Sequence, residues 1–162
     1  MTAHWLRIRY SNYVDSYRSY ARMRGFTSQL NDWAYHRRGF VECWAQPGFH
    51  RFWQVWNPGI SYFVYRLFIR LGGRRQWIGP TISAFAICGL VHTVLVAPFF
   101  GRWSFSVITA FCLFGALTVL SRYASPYLKQ ERWPMFLNVA VNVSLVAGGF
   151  DVGFRVDSLL GF

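Results

Sequence analysis

The sequence predicts an all-α protein that crosses a membrane about three times, with an additional amphipathic or re-entrant helix and an N-terminal arm at the bilayer surface. Three observations carry that prediction. The 162 residues are 54% hydrophobic and 20% aromatic. Charge-free runs of 20, 19 and 18 residues cover Thr81 to Phe100, Trp103 to Ser121 and Trp133 to Phe150. Rising about 1.5 Å per residue, each helix is long enough for a hydrocarbon core of about 30 Å. The 17 Lys and Arg outnumber six acids and sit beside those runs, where they meet anionic headgroups and set topology. That placement implies membrane lipids as partners and excludes nucleic acid.

Residues 1–51 form a basic, aromatic interfacial arm, and residues 52–162 the membrane domain. The arm holds eight arginines and three acids and lacks the apolar core of a cleavable leader. Tyr10, Tyr13, Tyr17 and Tyr20 recur at spacings of three and four, so they share one helical face with rings at headgroup level. Gly25 and Gln46-Pro47-Gly48 are breaks. Gly59 to Leu71 is apolar but short, and carries Arg66 and Arg70. Crossing here would put two basic segments on opposite sides, so the charge bias favours a helix that returns to the side it left.

The first span is then about Ile78 to Phe100, the second Trp103 to Ser121, and the third begins after Trp133-Pro134 and ends near Phe150. This places the N-terminus in the cytoplasm and the C-terminus outside, in a bacterial inner membrane. Asp151, Arg155 and Asp157 read as the exit from the bilayer. Cys43, Cys88 and Cys112 make no C-x-x-C unit, and neither a disulfide framework nor a metal site is implied.

His92 is the residue that asks for an explanation. It lies eleven residues beyond Thr81, about 17 Å along a helix and close to mid-bilayer. An ionisable residue there is a functional candidate by default, although a neutral histidine also bridges helices. Its neighbours Cys88 and Val96 offer little hydrogen bonding, so its partner is expected on another element or in a polar cavity. A neutral imidazole can take a proton from a hydroxyl as that oxygen attacks a thioester carbonyl, and an apolar setting keeps it neutral. His4, His36 and His50 read as ordinary polar residues near the interface.

The block FHRFWQVWNPGISYFVYRLFIRLGG, Phe49 to Gly73, followed by AFAICGLVH, Ala84 to His92, resembles the paired signature of the membrane-bound O-acyltransferase family, in its C-terminal half. Trp53 and Trp56 match the tryptophans, Asn57 the polar residue, Leu71-Gly72-Gly73 the glycine turn, and His92 the histidine of the next apolar helix. The resemblance implies that His92 is the base and that Asn57 orients the acceptor or stabilises the intermediate. It implies an acyl-thioester co-substrate and no bound cofactor.

Around that pair, Trp53 and Trp56 are either a substrate-facing wall or an interface belt. Arg74 and Arg75, beside Gly72-Gly73, either cradle a phosphate of the donor or form a headgroup-level turn. Asn57-Pro58-Gly59 is also a strong turn and helix start. The chain departs from the family in having only three spans, Gln54 where a basic residue is common, and Thr93-Val94 after the histidine. Two readings follow: a short acyltransferase completed by a homo-oligomer or by other membrane subunits, or a non-catalytic structural subunit of a larger membrane complex.

Overall fold

The computed structural model describes residues 16–24, 33–100 and 103–161. Its helices are α1 (Tyr17–Arg24), α2 (Trp33–Glu42), α3 (Phe49–Val55), α4 (Pro58–Arg70), α5 (Ile78–Phe100), α6 (Ser106–Leu128) and α7 (Met135–Leu160), with a 3-10 turn at Gln130–Arg132. No strand occurs among the described residues. Helices α5, α6 and α7 are each long and apolar enough to cross a membrane. This is an all-α membrane protein with α6 at its centre, packed against α5, α7 and α3.

The long helices are antiparallel neighbours, and contacts along them fix their register. Trp77, just before α5, meets Tyr123 of α6 with ring centroids 5.2 Å apart. Higher up, Gly115 of α6 faces Ile82, and Gly89 of α5 faces Ile108 and Phe111. Between α6 and α7, Phe114 packs on Gly149 and Phe150, and Gly153 lies against the Ser106 backbone. Without a hydrophobic driving force between helices in lipid, such close backbone approach is how they gain dispersion contacts.

Helices α6 and α7 both run further than expected. Helix α6 continues seven residues past Ser121 to Leu128, where Lys129 turns left-handed at φ 47°. Arg122 does not break it, since arginine is a good helix former, and its guanidinium lies over the Trp77 ring at 4.4 Å. Helix α7 passes through Asp151, Arg155 and Asp157 to Leu160. The first two neutralise each other across one helical turn at 2.7 Å. Asp157 is buried, accepting the Phe105 backbone N–H at 2.6 Å and the Ser104 hydroxyl. It thereby caps the N-terminus of α6, where a carboxylate is favoured by the unpaired amides and the helix dipole. The expected exit segment is therefore helical and continuous with the third span.

Helices α3 and α4 pack against each other beside α6 and α5, where an amphipathic or re-entrant helix is expected. His50 at the start of α3 meets Ser121, whereas Trp53 one turn later reaches Phe85, Phe111 and Phe114. Phe111 is twelve residues from Tyr123, about 18 Å along α6, so Trp53 packs well within the length of that helix. The chain reverses at Asn57-Pro58-Gly59, and α4 returns to the turn before Trp77, level with Tyr123. At 13 residues α4 is about 20 Å long, too short to span.

The arm packs on this hairpin. Tyr17 and Tyr20 of α1 meet Tyr62 and Tyr65 of α4, and Tyr20 is buried. These rings therefore contact protein; Tyr10 and Tyr13 lie outside the described residues. Phe49 and Phe52 share one hydrophobic cluster with Cys43, Phe85, Ala110 and Phe114.

The break between α2 and α3 exposes carbonyls, and α7 supplies their donor. Asn142 Nδ2 donates to Trp44 O at 2.8 Å and to Gln46 O at 2.9 Å. Asn142 is 1% exposed and seven residues into α7, about 10 Å along it.

Two glycines of α7 give a paired test of the packing. A Cβ at Gly153 would lie 2.3 Å from Ser106 O, and one at Gly148 would meet nothing within 4 Å. Gly153→Val is expected to destabilise by about 1–3 kcal/mol. Gly148→Ala is expected to be neutral or to stabilise by up to about 1 kcal/mol through helix propensity. Melting in mild detergent compares them, and equal melting temperatures would contradict the register.

Candidate functional site

His92 sits fourteen residues from the start of α5, about 21 Å along the helix. Its Nδ1 is 2.8 Å from the backbone oxygen of Cys88, one turn earlier. The expected distant partner is thus replaced by the histidine's own helix. A carbonyl oxygen only accepts and has a second lone pair, so Nδ1 donates in this bond, and in the neutral ring Nε2 is then the acceptor. One face of the ring stacks on Phe111, with centroids 4.9 Å apart and planes at 28°. The residue is partly exposed.

Asn57 is the N-cap of α4. Its Oδ1 accepts the Ile60 backbone N–H at 3.1 Å, and Pro58 occupies the first helical position. The cap uses the carbonyl side of the amide, leaving Nδ2 as its donor to other groups. Asn57 is exposed at the hairpin tip.

Trp53 and Trp56 belong to an aromatic cluster within the protein. Trp53 packs on Phe85 at 5.1 Å and Phe114 at 5.3 Å, while Trp56 packs on Phe40, Phe52 and Trp44. The rings of Trp53, Phe111 and His92 follow one another, so Phe111 connects the hairpin to the histidine. Trp53 Nε1 is buried without a hydrogen-bond partner. Arg74 and Arg75 are exposed in the turn before α5, the length of about fourteen helical residues away from His92. An open groove of about 670 Å³ on α2 is lined by Trp33, Ala34, Arg37, Arg38 and Val41, none of them an expected site residue.

Further polar residues find partners within the protein. Arg24 Nη1 donates to Gln54 Oε1 at 3.0 Å, so a guanidinium from α1 stands beside the position that lacks a basic side chain. His50 is drawn into protein contact. The Ser121 hydroxyl bonds its Nδ1 at 3.1 Å and accepts its backbone N–H at 3.3 Å. Burial, followed by the charges of Arg51 and Arg122, pushes His50 down to about 4. Asn138 Nδ2 donates to Gln130 O at 3.3 Å. Asn138 and Asn142 were visible as polar residues four apart inside an apolar run, which is the signal of a buried polar seam.

The depressed His50 gives a pH dependence whose sign is fixed. Its ordinary value is about 6.5, so on acidification the unfolded chain takes up this proton first. The contribution to stability is complete above about pH 6.5 and is lost as pH falls toward about 4. Wild type is therefore expected to lose more melting temperature between about pH 7 and about pH 5 than His50→Gln does, and parallel losses would contradict it. Comparison with protein-family models, with curated proteins and with solved structures finds no match.

Proposed function

We propose that the chain acts as an O-acyltransferase of the membrane interior, with His92 as its base. The observation that supports this reading is the Nδ1 bond to Cys88 O, which leaves Nε2 as the ring nitrogen open to a substrate, on a helix apolar enough to cross a membrane. In the reaction, Nε2 takes the acceptor hydroxyl's proton as the oxygen attacks the thioester carbonyl. The new C–O bond forms, the C–S bond breaks, and the proton passes to the departing thiolate. Asn57 serves through Nδ2, as a donor to the acceptor or to the developing oxyanion, because its Oδ1 is held by the helix. The basic end of the bundle faces the cytoplasm of a bacterial cell and the C-terminus lies outside, following the positive-inside rule. A homo-oligomer or other membrane subunits complete the enclosure around His92.

A second reading has its own observation. Phe111 covers one face of His92, and Trp53 and Trp56 are used in packing. These favour a structural subunit in a larger complex, with His92 as a packed polar residue.

Purification of the full chain in mild detergent, with identification of co-purifying proteins, is the starting point for the test. Transfer from a radiolabelled long-chain acyl thioester to a hydroxyl acceptor is then compared for wild type, His92→Ala and His92→Gln. Both variants are expected to lose about 10²–10⁴-fold in rate. Equal transfer by all three would rule out the base, and no transfer by any, with a stoichiometric partner chain present, would favour the structural subunit.

A further inference from the structure

One end of the bundle carries arginines that no described carboxylate neutralises. Arg70 closes α4, Arg74 and Arg75 occupy the turn that follows, and Arg122 lies near the end of α6; all four are exposed. None has a carboxylate partner among the described residues. In this half the described carboxylates, Glu42 and Glu131, are already engaged by Arg38 and Arg51. The opposite end is different, since Asp151 balances Arg155 and Asp157 is buried.

Arg122 is also held in position. Its guanidinium lies 4.4 Å over the Trp77 ring, and Trp77 in turn packs on Tyr123. A guanidinium stacked by its face presents its N–H groups at the edge, in the fork that matches phosphate oxygens. The turn before Trp77 is fixed by Gly72 at φ 87° and by the Arg75 and Gln76 backbone amides bonding Gly72 O. This arrangement lies where α5 begins and where α6 reaches the same level, the depth at which phospholipid phosphates lie.

We infer that Arg122, stacked on Trp77, and the Arg70, Arg74 and Arg75 turn form a docking surface for anionic phospholipid headgroups. Free phosphate and the phosphates of an acyl donor share this chemistry. Lipid is favoured because the cations flank two span ends and lie about 21 Å along α5 from His92. The inference stands without the acyl-transfer reading.

The test uses the full chain in mild detergent, titrated with phosphatidylglycerol or phosphatidylcholine, with bound lipid counted by native mass spectrometry. Wild type is expected to retain phosphatidylglycerol about 10-fold more tightly than phosphatidylcholine. The triple variant Arg74→Gln, Arg75→Gln, Arg122→Gln should lose that preference, and the double variant Arg74→Gln, Arg75→Gln, which keeps the Arg122–Trp77 contact, should weaken it at an unchanged melting temperature. Equal retention of the two lipids by wild type, or an undiminished preference in the triple variant, would overturn the proposal. Displacement of phosphatidylglycerol by inorganic phosphate at about the same concentration would also overturn it, in favour of a soluble anion.

Discussion

A chain that breaks its helix within hydrocarbon must find hydrogen-bond partners for the backbone groups it uncovers, because no water is there to supply them. The rest of this structure depends on how the segment from α2 to α4 meets that requirement. Asn142 Nδ2 holds Trp44 O and Gln46 O together, and Asn57 Oδ1 takes the Ile60 amide at the hairpin tip. With those groups satisfied, α3 can pack beside α6 and deliver Trp53 to the aromatic layer of Phe85, Phe111 and Phe114. Each buried group left unpaired would cost about 1–3 kcal/mol, which is a large fraction of the stability of a chain this size.

The same economy of partners governs His92. An imidazole needs one acceptor for its N–H, and Cys88 O supplies it without a second helix. The fold can therefore tolerate this residue at depth while leaving a basic nitrogen uncommitted. Phe111 joins His92 to Trp53, so the hairpin and α5 meet across one ring. In the proposed chemistry that ring has a positioning role, fixing the plane of the imidazole against α6.

Much of the architecture was legible because long apolar runs have few alternatives. Ile78 to Phe100 reads as a span from composition alone, and the charge bias on either side of Gly59 to Leu71 already favours a returning helix. The ends of α6 and α7 were not legible, because they depend on pairs formed in space. Arg122 has its charge over the Trp77 ring at the start of another helix, and Asp157 is buried in α7 where Ser104 and Phe105 supply its donors. The candidate site divides the same way. The Asn57 cap follows from Asn-Pro-Gly, whereas the burial of His50 by Ser121 joins residues 71 apart and no local pattern announces it.

The re-entrant path of α3 and α4 is tested most directly by asking which side of the membrane its two ends reach. In a chain whose Cys43, Cys88 and Cys112 are replaced by alanine, Gly39→Cys and Gln76→Cys place single thiols before and after the hairpin. A membrane-impermeant maleimide applied to oriented vesicles should label both from the same face. Labelling from opposite faces would mean that the segment crosses, and the returning hairpin would be wrong.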